Sequence, residues 1–140
     1  MSQVATGGTD GSETRRERPH SPVLVVEDDA DFRQLLELVL QWDGFVVCTA
    51  ADGIEALQCL EQTQPCIILL DISMPRMDGI TFGRRLRRHP DPQLARTPVV
   101  LLTALIDTTQ ALRETEAVEV ISKPLSVDQL VTVIERHCGT

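Results

Sequence analysis

The chain has 140 residues, 42% of them apolar and 24% charged, which suits one domain with a real hydrophobic core. Acidic residues outnumber basic ones 21 to 13, for a net charge of −8, and that balance argues against broad binding of nucleic acid. No apolar run approaches the ~20 residues that span a bilayer, and the first residues are too polar for a secretory signal, so a cytoplasmic location is expected.

Residues 1–20 are rich in Gly, Ser, Thr and charge and show no periodicity, which predicts a disordered tail before a folded domain at 21–140. In the tail Asp10, Glu13 and Glu17 cancel Arg15, Arg16 and Arg18, so the whole negative charge belongs to the domain. Val23-Leu24-Val25-Val26 reads as a first strand ending in Glu27-Asp28-Asp29. Phe32, Leu35, Leu36 and Val39 recur at helical spacing, and Gly44 closes that helix. Phe45-Val46-Val47-Cys48 reads as a second strand. Ile54, Leu57 and Leu60 mark a second helix capped by Asp52.

Ile67-Ile68-Leu69-Leu70 is a third strand that stops at Asp71, and a third helix runs through Phe82 and Leu86. Its end carries Arg84, Arg85, Arg87 and Arg88, read as a solvated face near the negative end of the helix dipole. Pro90 and Pro92 mark a loop, Val99-Val100-Leu101-Leu102 a fourth strand ending in Thr103, and 108–115 a short, weakly patterned helix. Val118 to Ser122 is a fifth strand ending in Lys123, the only lysine among thirteen basic side chains. Ser126 and Gln129 fit a capping box for a last helix lined by Leu130, Val133, Ile134 and His137, with His137 read as structural. Cys48, Cys59, Cys66 and Cys138 lack the spacing of a zinc site and read as small core residues, with no disulfides expected.

Alternation of strands and helices implies a parallel sheet wrapped on both faces. The first strand is not followed by GxGxxG, which disfavours a dinucleotide site. A flavodoxin-like α/β fold, doubly wound (βα)5 with five strands in the order 2-1-3-4-5, fits best. The strand ends then share one edge, where open parallel sheets place their ligand sites. Glu27, Asp28 and Asp71 would repel one another there unless a proton or a cation relieves them. Carboxylates with waters suit Mg²⁺. With the ion bound, Asp71 is the expected nucleophile toward a phosphoryl group, Asp28 a metal ligand, Lys123 the partner of Asp71 and Thr103 the donor to a phosphoryl oxygen. Asp29 is expected to serve the following helix instead.

The fragments Val-Leu-Val-Val-Glu-Asp-Asp, Asp71-Ile-Ser-Met-Pro-Arg-Met-Asp-Gly79, Leu-Leu-Thr-Ala104 and Lys123-Pro124 together resemble the response-regulator receiver domain of two-component signalling, over residues 22–138. The resemblance implies that Asp71 accepts phosphate from a histidine kinase or histidine phosphotransfer protein. It implies that Glu27, Asp28, Asp71 and the backbone carbonyl of Ser73 hold Mg²⁺, and that Thr103 and Lys123 are the switch hydroxyl and the family's lysine. The Lys123–Pro124 peptide is usually cis in such domains.

Phosphorylation would then switch contacts with a downstream protein, without direct DNA or membrane binding and without enzymatic turnover beyond the domain's own phosphorylation and dephosphorylation. The chain would be a stand-alone receiver or part of a longer regulator. Three departures fall near the family's common output surface. Val120 replaces the usual aromatic, Glu116-Ala117 replaces Gly-Ala, and the span from Thr103 to Lys123 is short. One alternative is a receiver-like module that docks without phosphorylation. Another is a haloacid-dehalogenase-type phosphohydrolase, disfavoured because its second Asp position holds Ser73.

Overall fold

The computed structural model describes residues 21–72, 79–104 and 107–139. The expected tail, Ser73, Leu105 and Ile106 lie outside them. Strands β1 (Val23–Val26), β2 (Val47–Ala50), β3 (Ile67–Asp71), β4 (Val99–Thr103) and β5 (Glu119–Ser122) form one sheet in the order β2-β1-β3-β4-β5. All four pairings are parallel, with Val23 opposite Ile67, Ile68 opposite Val99 and Thr103 opposite Ser122. The three inner strands are buried at every position, because helices cover both faces; that is why they read as unbroken apolar runs.

Side chains alternate between two cores. Leu24, Val26, Ile68, Leu70, Val99 and Leu101 face α2 (Gly53–Thr63), α3 (Gly79–Arg87), α4 (Pro92–Ala95) and α5 (Thr109–Thr115). Val23, Val25, Ile67, Leu69, Val100 and Leu102 face α1 (Ala30–Trp42) and α6 (Val127–Cys138).

Capping follows the sequence closely. Asp29 accepts from the amides of Asp31 and Phe32 at the start of α1, Asp52 from Glu55 at α2, and Ser126 from Gln129 at α6. Gly44, at φ +95°, turns the chain after α1; its amide bonds Gln41 O and that of Phe45 bonds Leu40 O. That turn explains one correction. Phe45 is buried beside the end of α1, and the second strand begins at Val47, two residues later than the apolar run predicted. The proline-marked loop also contains a helical turn, α4, started by Asp91 as cap and Pro92 at the first position.

Two further expectations fail. The cysteines are paired, Cys48 with Cys59 and Cys66 with Cys138. The second pair is separated by 72 residues, and only the fold brings it together. The arginines of α3 are not one solvated face. Arg87 is half-buried and donates to the carbonyls of Thr115, Ala95 and Thr97, each at 2.9 Å. Arg84 pairs with Glu114 of α5 at 2.8 Å.

Helices α3 and α5 touch through a glycine. A Cβ on Gly83 would lie 2.5 Å from Thr115 Cγ2 and 3.0 Å from its Cα. Ala normally stabilises a helix over Gly by up to about 1 kcal/mol. Here Gly83→Ala is expected to destabilise by roughly 1–3 kcal/mol, because the helices must separate. A urea midpoint that falls at unchanged slope is the expected reading; a rise would show that the contact yields freely.

Candidate functional site

Glu27 follows β1 directly, Asp71 is the last residue of β3, Thr103 the last of β4, and Lys123 follows β5. Parallel register brings all four to the same edge of the sheet. Lys123 Nζ donates to Asp71 Oδ2 across 52 residues of sequence. Asp71 is 1% exposed, Glu27 2% and Thr103 1%, so carboxylates and hydroxyl sit below the surface. The Lys123 amide bonds Thr103 O at 2.9 Å, which fixes the start of the lysine's loop against β4. The Lys123–Pro124 peptide is cis, as the resemblance implied.

Glu27 is the electrostatic centre of the site. Its Oε2 accepts from the Asp29 amide at 3.0 Å, while Oε1 is buried with no hydrogen-bond partner among the described residues. Burial, with the Asp71 carboxyl alongside, pushes its pKa up to about 8; the Asp29 amide and the Lys123 charge oppose the rise. Glu27 therefore favours its protonated form at neutral pH.

An orphaned carboxylate oxygen that prefers a proton to bare charge is also the signature of a cation position. Among the described residues no three His, Cys, Asp or Glu side chains are grouped so as to hold an ion by themselves. A metal here would complete its shell with waters and backbone oxygens, as Mg²⁺ commonly does. Asp28 is half-buried next to Glu27, while Asp29 is exposed and committed to its capping bonds, as expected. Ser73, the expected carbonyl donor, lies outside the described residues.

Two contributors were not singled out from the sequence. Lys123 Nζ stands 5.1 Å from the centroid of the Phe32 ring, a cation–π contact that confines the ammonium beside Asp71. Arg33 Nη1 donates to the Glu27 carbonyl at 2.8 Å and reaches that of Asp28 at 3.5 Å, tying down the acidic loop. Phe32 registered only as an apolar helix position, and nothing in the spacing of Arg33 distinguishes it from a surface residue. Glu27, Asp29, Phe32, Lys123, Pro124 and Leu125 line an open cleft of about 540 Å³ through which a donor could approach.

Residues 23–135 match the family described as response regulator receiver domain. The chain belongs to this family. It is 37% identical over 110 residues to the protein named "Probable transcriptional regulator ycf27" of Guillardia theta, covering 77% of this chain and 41% of that protein. It is 36% identical over 121 residues to the DNA-binding response regulator MtrA of Mycobacterium tuberculosis, covering 85% of this chain and 49% of MtrA. The chain thus spans about half or less of the length of these curated relatives. Among solved structures, Vibrio cholerae chemotaxis protein CheY4 superposes with a TM-score of 0.76 at 30% identity, covering 85% of this chain and 99% of CheY4. The receiver assignment and the sheet order expected from sequence both stand, and with them a place in two-component signal transduction.

Proposed function

We propose that this receiver domain is a phosphoacceptor switch in which Asp71 takes a phosphoryl group from the phosphohistidine of a kinase or phosphotransfer protein. The observation that carries the reading is the buried Asp71 carboxylate held by Lys123, with the proton-hungry Glu27 beside it. An Asp71 oxygen attacks phosphorus as the phosphorus–nitrogen bond breaks, and the electron pair leaves with the imidazole. Lys123, already aimed at Asp71, neutralises the phosphoryl oxygens, and the Thr103 hydroxyl donates to one of them. Mg²⁺, held by Glu27, Asp28, Asp71 and the Ser73 carbonyl, would supply further charge neutralisation. The domain turns over nothing but its own acyl phosphate.

The output is a changed protein contact in the cytoplasm. The domain's own negative charge disfavours direct contact with DNA, even though relatives such as MtrA are named as DNA-binding. Incubation with Mg²⁺ and phosphoramidate, followed by intact-mass analysis, tests the reading. One acid-labile phosphoryl adduct that requires the metal is expected; no adduct would leave only a docking module.

With Val120 in place of an aromatic, the readout should pass through α5. Its first residue follows Thr108, which provides no side-chain cap, while its last turn is pinned to α3 by Thr115, Arg87 and the Arg84–Glu114 pair. Hydrogen exchange in residues 107–112 is expected to be faster than in α1 and to change most on phosphorylation. Equal protection of 107–112 in both states would place the output on another face.

A further inference from the structure

A groove runs between α2 and α3, away from the phosphoryl site. Its lower part, about 400 Å³, is walled by Arg84, Arg85, Arg88 and His89 over Leu57 and Pro90. Its upper part, about 300 Å³, is lined by Ile54, Leu57 and Phe82, and shares Thr81 and Arg85 with the lower part. Ile54 is 67% exposed, an apolar side chain left in water at the rim. The charges left open are basic, since Asp52 in the lining of the upper part accepts from the Glu55 amide at 2.8 Å as the cap of α2. Arg85 and Arg88 are exposed, and their side chains make no hydrogen bond or ion pair among the described residues. The carboxylate inside the lower part, Glu61, is taken by His89 at 2.9 Å. Residues 84–88 hold four of the thirteen basic side chains of a chain whose net charge is −8.

We infer that this groove is a docking site for an acidic amphipathic helix of a partner protein. The apolar side chains of Leu57 in the groove and Ile54 at its rim match one face of such a helix, and Arg85 and Arg88 match carboxylates flanking it. Helix α2 has 11 residues, so the groove floor extends ~16 Å, about three turns. A duplex polyanion fits less well. It would extend past the groove and meet the negative charge of the rest of the domain, and it offers nothing to the apolar floor. The site is independent of the phosphoryl chemistry, since none of its lining residues belongs to the Asp71 cluster. It has a route to that chemistry nonetheless, because Arg84 on its wall pairs with Glu114 of α5.

The test uses a fluorescent synthetic helix of about four turns, with Leu on one face and Glu beside it, titrated with the full chain. Saturable binding is expected, together with amide shifts confined to 53–63 and 79–90. Arg85→Glu/Arg88→Glu should weaken it by roughly tenfold or more. The double variant should melt as wild type does and accept the phosphoryl group to the same extent, because neither side chain has a partner among the described residues. Arg96→Glu/Arg113→Glu, two exposed positions outside the groove, is the charge-matched control and should leave binding unchanged. Three results would each overturn the proposal: no saturable binding up to millimolar peptide, equal loss in the control, or shifts centred on another face. Tighter binding of a DNA duplex than of the peptide, lost in the same double variant, would assign the groove to nucleic acid instead.

Discussion

Asp71→Asn is expected to abolish phosphoryl uptake, lowering it by a factor on the order of 10³ or more. The substitution keeps the shape of the side chain and the burial of β3, so the fold should persist. What changes is the attacking atom, since an amide oxygen is a poor nucleophile and its adduct would not be stable. The Lys123 contact also loses its counter-charge. Removing the Asp71 carboxyl should lower the Glu27 pKa as well, because Asp71 is one of the influences that raise it. Lys123→Arg is the complementary change. It keeps the charge but replaces a compact ammonium, seated 5.1 Å from the Phe32 centroid, with a planar fork. Metal binding should survive, while the response of α5 to phosphorylation should be blunted. Intact-mass analysis separates the two variants, no adduct for the first and an adduct without the exchange change for the second. Wild-type adduct on Asp71→Asn would remove Asp71 from its role.

Much of this site was legible because of how parallel sheets are buried. Strands covered on both faces appear as short apolar runs, and the residue that ends each run sits at the ligand edge whatever the loops do. Asp71, Thr103 and Lys123 were readable on that ground alone, and the lone lysine sharpened the choice. What stayed hidden depends on tertiary neighbours. Phe32 and Arg33 act on the site from a helix whose periodicity says only which face is inward. Arg87 differs from Arg85 in function although both sit in one basic run. The helix turns Arg87 toward three carbonyls and leaves Arg85 in solvent. The second strand slipped by two residues because Phe45 serves the turn after α1, and a two-residue shift preserves which side chains face inward. The Cys66–Cys138 pairing follows from topology, since α6 ends beside the start of β3, and no local spacing encodes that.

The second large effect concerns pH. Glu27 has a pKa near 8 in the metal-free fold against an ordinary value of 4.5, so the folded state holds a proton that the unfolded chain releases. Stability of the metal-free protein should therefore be greatest, as far as this group is concerned, below about pH 4.5. It should fall as pH rises toward 8, by at most about 1.4 kcal/mol per pH unit, and level off above. A Mg²⁺ ion held as proposed through the Glu27 carboxylate would bind in competition with that proton. Its affinity is thus expected to climb by up to about tenfold per pH unit between 6 and 8, with release of up to one proton per ion at the lower end. Calorimetry in buffers of different ionisation enthalpy measures both quantities. Glu27→Gln should flatten the stability profile, abolish the proton release and weaken Mg²⁺ by roughly tenfold or more, because a charged ligand is gone. Asp29→Asn should leave the metal affinity close to wild type, since that side chain is committed to the amides of Asp31 and Phe32. An Mg²⁺ affinity that stays flat from pH 6 to 8 in the wild type would show that Glu27 is already ionised, or that the ion binds without it.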